Sequence, residues 1–178
     1  EQLTKADYKR RATTVAHWFA ANGITRVRTH LDVNSDERAS VGLEAMLEVR
    51  DELEGFVDIQ IVAFPMGCLY DGDERKMERF EAAMERGLDV VGGIPHREHC
   101  KDDGNEHVRT VLDVATEHGV PADLHIDETD DPQSRFTGVL ASESLKRGLG
   151  TDVTASHVTA LHSSSNAYVD KLVRLIGE

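Results

Sequence analysis

The sequence has little of several things, and each shortage excludes a class of protein. It has two cysteines, Cys68 and Cys100, far apart and in no C-x-x-C pattern, so neither a disulfide framework nor a zinc ribbon is written in it. Both are expected to be reduced thiols. No run reaches the roughly 18 apolar residues of a membrane span. The opening residues Glu1-Gln2-Leu3-Thr4-Lys5 lack the basic and apolar regions of a signal peptide, which points to a cytoplasmic protein. Basic residues are outnumbered, with 33 acids against 20 bases and a formal net charge of −13. That balance argues against a duplex nucleic acid or an anionic membrane as partner, since both call for a basic footprint. The acids are dispersed and lysine is rare beside arginine, a surface suited to a high-salt cytoplasm. Aromatics make up only 5%, so the core must be built mainly from Val, Leu, Ile and Ala. There is no G-x-G-x-x-G fingerprint and no G-x-S-x-G elbow.

What is present is a repeated unit. The 178 residues fit one domain with a real core. Ala12, Val15, Ala16, Phe19 and Ala20 mark a helical stripe over about 5–21, stopped by Asn22-Gly23. Strands are expected at 24–33, 56–64, 90–94, 122–126 and 152–156. Helices are expected between them at about 38–53, 71–86, 106–118 and 132–147, and last at 166–176. Apolar strands separated by amphipathic helices at about 30-residue spacing imply parallel βαβ units in an α/β fold.

The polar residues gather in one kind of place. His30, Met66, His96, His125, Glu128 and His157 all lie at or just after the C-terminal end of an expected strand. That edge of a parallel α/β fold is where sites are built.

His125 leads the candidates. A neutral imidazole at a rigid strand end is a good ligand for a divalent metal. Glu128, three residues on, lies in the loop, where it could reach a metal-bound water and move a proton without being a ligand. The alternative is a core histidine beside an acidic loop that caps the next helix. His157 ends the neighbouring strand, where it could share a metal, bond the reacting group, or be a hydrogen-bonded core histidine. His96 follows Gly92-Gly93-Ile94-Pro95, whose glycines permit close backbone approach, to substrate among other things. His30 and Asp32 share one face of their strand end, as support for a pocket or as a satisfied buried pair. His99 and His107 read as surface, as do His17 and His118 on their helices. His162 reads as structural.

Five segments in order carry a resemblance: Thr29-His30-Leu31-Asp32-Val33; Asp58 to Pro65; Asp89-Val90-Val91-Gly92-Gly93-Ile94-Pro95-His96; His125-Ile126-Asp127-Glu128 with Asp130 to Phe136; and Val153-Thr154-Ala155-Ser156-His157. Together they resemble the cytosine deaminase branch of the amidohydrolase superfamily, which also includes aminohydrolases of triazine breakdown. The resemblance covers nearly the whole chain. It implies a (β/α)₈ TIM barrel in which one Fe or Zn ion activates water to attack an amidine-like ring carbon, expelling an amine or ammonia. It further implies His125 as metal ligand on the fifth barrel strand. Glu128 would be the acid/base, and His157 on the sixth strand would polarise the water or the substrate oxygen. Met66 and His96 fall at substrate-binding positions. The expected partner is a small nitrogen heterocycle, and the expected assembly a homo-oligomer.

Two departures accompany the resemblance. The H-x-H pair of strand one and the Asp of strand eight, which complete the family's ligand set, are not in these residues. The five expected strands correspond to strands two to six, so residues 1–178 read as an incomplete amidohydrolase barrel domain, a fragment of a full barrel of about 250 residues. Met66 stands where cytosine-specific members carry a Gln that reads the pyrimidine edge. A thioether cannot donate that hydrogen bond, which directs the substrate away from cytosine itself. The competing reading is an inactive fragment or non-catalytic half-barrel without a complete metal site.

Overall fold

The computed structural model describes residues 4–34 and 37–178. Glu1, Gln2 and Leu3, which opened the leader argument, lie outside the described residues. Helices and strands alternate along the chain: α1 (Lys5–Ala21), β1 (Arg26–Asp32), α2 (Glu37–Glu52), β2 (Asp58–Phe64), α3 (Arg75–Met84), β3 (Val90–Gly93), α4 (Lys101–His118), β4 (Ala122–Ile126), α5 (Phe136–Arg147), β5 (Val153–His157) and α6 (Asn166–Ile176). Short 3₁₀ turns occupy Pro95–Arg97 and Thr159–Ser163. This is an α/β fold, a partial (β/α)₈ barrel with five strands alternating with helices. Among the described residues no helix is long and apolar enough to cross a membrane. The chain forms two compact units, residues 1–66 with 75–90, and residues 67–74 with 91–178.

In the first unit β1 and β2 pair in parallel, from Arg26 opposite Asp58 to Asp32 opposite Phe64. Ile61, Val62, Ala63 and Phe64 are buried in succession, so both faces of β2 are covered, as for a strand of a parallel sheet. Asp89 brackets this strand. Its backbone N–H donates to the Ile61 carbonyl, and its carboxylate accepts from Ile61 N and from Arg50. Thr4 caps α1 by accepting from the Asp7 N–H. Lys5 and Lys9 of α1 reach Glu44, Glu48 and Glu52 of α2. Of the apolar stripe expected on α1, only Ala16 is buried; Val15 and Phe19 are exposed, and Ala12 and Ala20 are half-buried.

The second unit holds β3, β4 and β5. Val91 pairs with Ala122 and Gly93 with Leu124, while Ala122 to Ile126 pair in parallel with Val153 to His157. Helix α4 lays Val108, Val111, Leu112 and Ala115 into the core, on the i, i+3, i+4, i+7 spacing of one helix face. Each such fully buried Val or Leu contributes about 1.5–3 kcal/mol.

Three helix starts differ from expectation. Helix α3 begins at Arg75 rather than 71, after a turn in which Asp73 N donates to Asp71 Oδ1. Helix α4 begins five residues before 106, because Cys100 Sγ accepts from Asp103 N and Asp102 and Asp103 fill the acidic first turn. It ends as expected at Gly119, which adopts φ +65°. Helix α5 begins at Phe136 rather than near 132. Residues before it are held as a loop: Gln133 N donates to Asp131 Oδ1, and Ser134 Oγ donates to the Asp127 carboxylate.

Candidate active site

The site is built on the C-terminal ends of β4 and β5. The register sets Ile126 opposite His157 and His125 opposite Ser156. The His125 and His157 rings therefore meet edge to face, with centroids 4.6 Å apart and planes at 88°. Beyond the end of β4, Glu128 turns back so that its Oε2 lies 3.8 Å from His157 Nε2. One ligand atom from each of His125, Glu128 and His157 falls within 4.8 Å of the other two, close enough to hold a single metal ion. Burial pushes the His125 imidazole below its ordinary range, and the neighbouring His157 pushes it the same way. A neutral ring at a strand end has the lone pair that a divalent ion requires, so the donor set fits such an ion.

The backbone here is strained. Asp127 (φ +52°), His157 (φ +77°) and Val158 (φ +55°) are the non-glycine residues with positive φ among those described. For a β-branched residue such as Val158 this is a true outlier. Each such residue costs about 1–3 kcal/mol and persists only where surrounding bonds over-determine it. Those bonds are present. Val158 N donates to the Ile126 carbonyl, and Ala160 N and Thr159 Oγ1 both donate to the Asp127 carbonyl.

His96 lies on the 3₁₀ turn after β3 and, with Glu128, lines a cavity of about 870 Å³. Thr129, Gln133, Arg135 and Phe136 contribute to its wall. Desolvation lowers the pKa of His96, outweighing the Glu128 and Asp127 carboxylates that act to raise it. Its Nδ1 is buried and has no hydrogen-bond partner among the described residues.

Four site candidates, His96, His125, Glu128 and His157, thus lie in the second unit. Met66 ends the first of the two segments of the first unit and is 62% exposed. His30 is also in the first unit, packed edge to face on Phe64 at 5.1 Å, while Asp32 accepts from the Asn34 N–H. His17, His99, His118 and His162 are exposed, as expected for the first three.

His107 corrects the sequence reading: it is fully buried rather than on the surface. Its Nε2 accepts from Ile94 N at 3.2 Å, which fixes the proton on Nδ1, and Nδ1 donates to Glu98 Oε1 at 2.7 Å. Glu98 also accepts from the N–H groups of Leu69 and Tyr70. Gly93 serves this pair. A Cβ there would stand 2.6 Å from His107 Nε2, so the glycine makes room for a histidine of its own unit. The signal was available in the sequence, since His107 precedes Val111 by four residues and shares its helix face. An expected start at 106 placed it in a fraying first turn instead. The sequence shows Asp127 only as part of an acidic loop that could cap the next helix. It does cap α5, but its reach to Ser134, Phe136 and Thr137, 7–10 residues on, has no sequence signal.

A profile of the Amidohydrolase family matches residues 1–178. The chain belongs to the amidohydrolase family. Its structure superimposes on 5-methylcytosine deaminase from Klebsiella pneumoniae, solved with 5-fluorocytosine, with a TM-score of 0.92 and 42% identity over 99% of this chain and 42% of that one. It is 28% identical over 177 residues to N-isopropylammelide isopropyl amidohydrolase of Pseudomonas sp. (strain ADP), covering 98% of this chain and 43% of that protein. It is 27% identical to pterin deaminase of Rhizobium rhizogenes, covering 88% of this chain and 35% of that protein. The chain thus spans less than half the length of these amidohydrolase relatives. The family and branch read from the five segments are those the comparisons return.

Proposed function

We propose that these residues form part of the barrel of a metal-dependent aminohydrolase that removes an amino group from a nitrogen heterocycle. The convergence of His125, Glu128 and His157 within 4.8 Å carries this reading. His125 would hold a divalent ion, Zn or Fe. Such an ion, when bound, supplies Lewis acidity and a water of lowered pKa. The H-x-H pair and the Asp of the family's ligand set would come from outside these 178 residues.

The chain's own residues account for the protons. Water attacks the ring carbon that bears the amino group, and the Glu128 carboxylate accepts a proton from the attacking oxygen. Glu128 then delivers that proton to the ring nitrogen, leaving a tetrahedral carbon that bears hydroxyl and amino groups. The remaining hydroxyl proton passes by way of Glu128 to the amino group, and the exocyclic carbon–nitrogen bond breaks as ammonia leaves and a ring carbonyl forms. His157, 3.8 Å from Glu128, donates a hydrogen bond to the oxygen on which charge develops. His96 lines the cavity beside Glu128, where its ring orients the heterocycle.

The relatives named for 5-methylcytosine, pterin and N-isopropylammelide support a nitrogen heterocycle as substrate class. Met66, proposed at the substrate edge, argues against a substrate held there by an amide side chain. The test is release of ammonia or amine by the intact natural polypeptide, loaded with Zn or Fe, from cytosine, 5-methylcytosine, isocytosine, creatinine, a pterin and N-isopropylammelide. Release from at least one is expected; silence from all overturns the reading.

A further inference from the structure

We infer that Asp127 is a positioning residue that holds Glu128 and His157 in their working geometry. The inference rests on the proton-carrying role proposed for Glu128. Asp127 is only 2% exposed, yet its carboxylate meets four donors. Oδ1 accepts from Ser134 Oγ at 2.6 Å and Phe136 N at 3.0 Å; Oδ2 accepts from Thr137 N at 2.8 Å and Thr137 Oγ1 at 2.6 Å. That fills the acceptor capacity of a carboxylate. Phe136 and Thr137 open α5, and Arg135 at the N-cap supplies no side-chain cap bond. The first two N–H groups of that helix are thus satisfied from a residue nine and ten positions upstream. The Asp127 carbonyl meanwhile accepts from Thr159 Oγ1 at 3.0 Å and Ala160 N at 2.9 Å, in the segment just after His157.

One residue therefore ties the end of β4, the start of α5 and the segment after β5. It does so from a left-handed conformation, between His125 and Glu128 in the chain. A cap made by Ser134 or Arg135 would serve α5 as well. A cap made by the residue next to Glu128 couples the helix to the direction in which Glu128 leaves the strand. The carbonyl bonds couple that same turn to the strained His157–Val158 step.

The test uses the intact natural polypeptide with Asp127→Asn and Thr137→Val. The Asn amide cannot accept from all four donors: whichever way it is turned, its NH₂ faces either the Phe136 N–H or the Thr137 N–H. Val keeps the shape of Thr137 and removes one donor. Three quantities are read: kcat and KM for ammonia release from 5-methylcytosine, zinc content, and the NMR signals of the histidine rings. Asp127→Asn is expected to lower kcat on the order of 100-fold, as a small misplacement of reacting groups does, with KM and zinc content nearly unchanged. The His157 ring signals should move while those of His17 and His118 stay. Thr137→Val should fall between wild type and Asp127→Asn, and it decides the matter if the Asn variant does not fold. A variant that melts earlier but keeps kcat and the His157 signals would show Asp127 to be a helix cap only. If the wild type releases no ammonia from 5-methylcytosine, the choice of substrate or the function is at fault, and the His157 signals alone decide for or against Asp127.

Discussion

Glu98 and His107 form a buried hydrogen-bonded pair, 2.7 Å apart, with the Glu98 side chain 1% exposed. Ile94, Leu69 and Tyr70 attach their backbone N–H groups to it, so the pair joins the end of β3, helix α4 and the 67–70 loop. Replacing His107 with Leu removes the side-chain donor of the Glu98 carboxylate and the acceptor of the Ile94 N–H. A bond to a charged group is worth about 1.5–3 kcal/mol, and a loss of at least that size is expected from the denaturant midpoint of the intact protein. Amide exchange at Leu69 and Tyr70 should accelerate in the same variant. Unchanged exchange there would show that the loop is held by something other than Glu98.

Gly93→Ala should be destabilising although alanine suits a strand better than glycine. Its methyl group would meet His107 Nε2 at 2.6 Å and Val111 Cγ2 at 2.8 Å. Overpacking of this kind costs about 1–3 kcal/mol. A companion His107→Ala change should recover part of the loss, measured by thermal melts of the single and double variants. Strict additivity would mean that the crowding is not with His107.

Glu128→Gln keeps the shape of the side chain and removes its base. Ammonia release should fall by about 10²–10⁴-fold while zinc content stays at the wild-type level. Persistence of turnover would remove Glu128 from the proton path.

The acidic limb of stability should carry the signature of Glu48. Hydrogen bonds from Lys5 and Lys9 hold its carboxyl at about 2, below the usual carboxylate range. The folded pKa is depressed, so the contribution is fully present above the unfolded value of about 4.5 and is lost as pH falls towards 2. Melting temperatures between pH 5 and pH 2 should decline less steeply in Glu48→Gln than in wild type. High salt should narrow the difference, because all three side chains are solvated.

The architecture was legible because buried parallel strands read as unbroken apolar runs, such as Ile61 to Phe64, and because Gly119 and Gly148 mark their helix ends in plain text. The site was legible for a related reason. His125 is the last residue but one of β4 and His157 the last of β5, and neighbouring parallel strands in register bring their ends together without any further information. What the sequence hid is held by contacts that have no period. The reach of Asp127 to Phe136 and Thr137, and the clamp of Glu98 on the 67–70 loop, depend on irregular backbone that no hydrophobic pattern reports. His107 shows the intermediate case. Its helical face was readable, but only from a helix start that a cysteine cap had moved five residues upstream.

The left-handed step at His157 and Val158 bears on how this site can change. Glycine or asparagine at 158 would relax the backbone at no cost in contacts to the Ile126 carbonyl, and substitutions of that kind are among the easiest routes to a more stable protein. A valine there restricts the turn to fewer conformers than glycine would, and the restriction falls on the residue beside the His157 imidazole. The segment trades thermal robustness for a fixed aim. Variants selected for heat tolerance alone should accumulate changes at this step and lose turnover as they do.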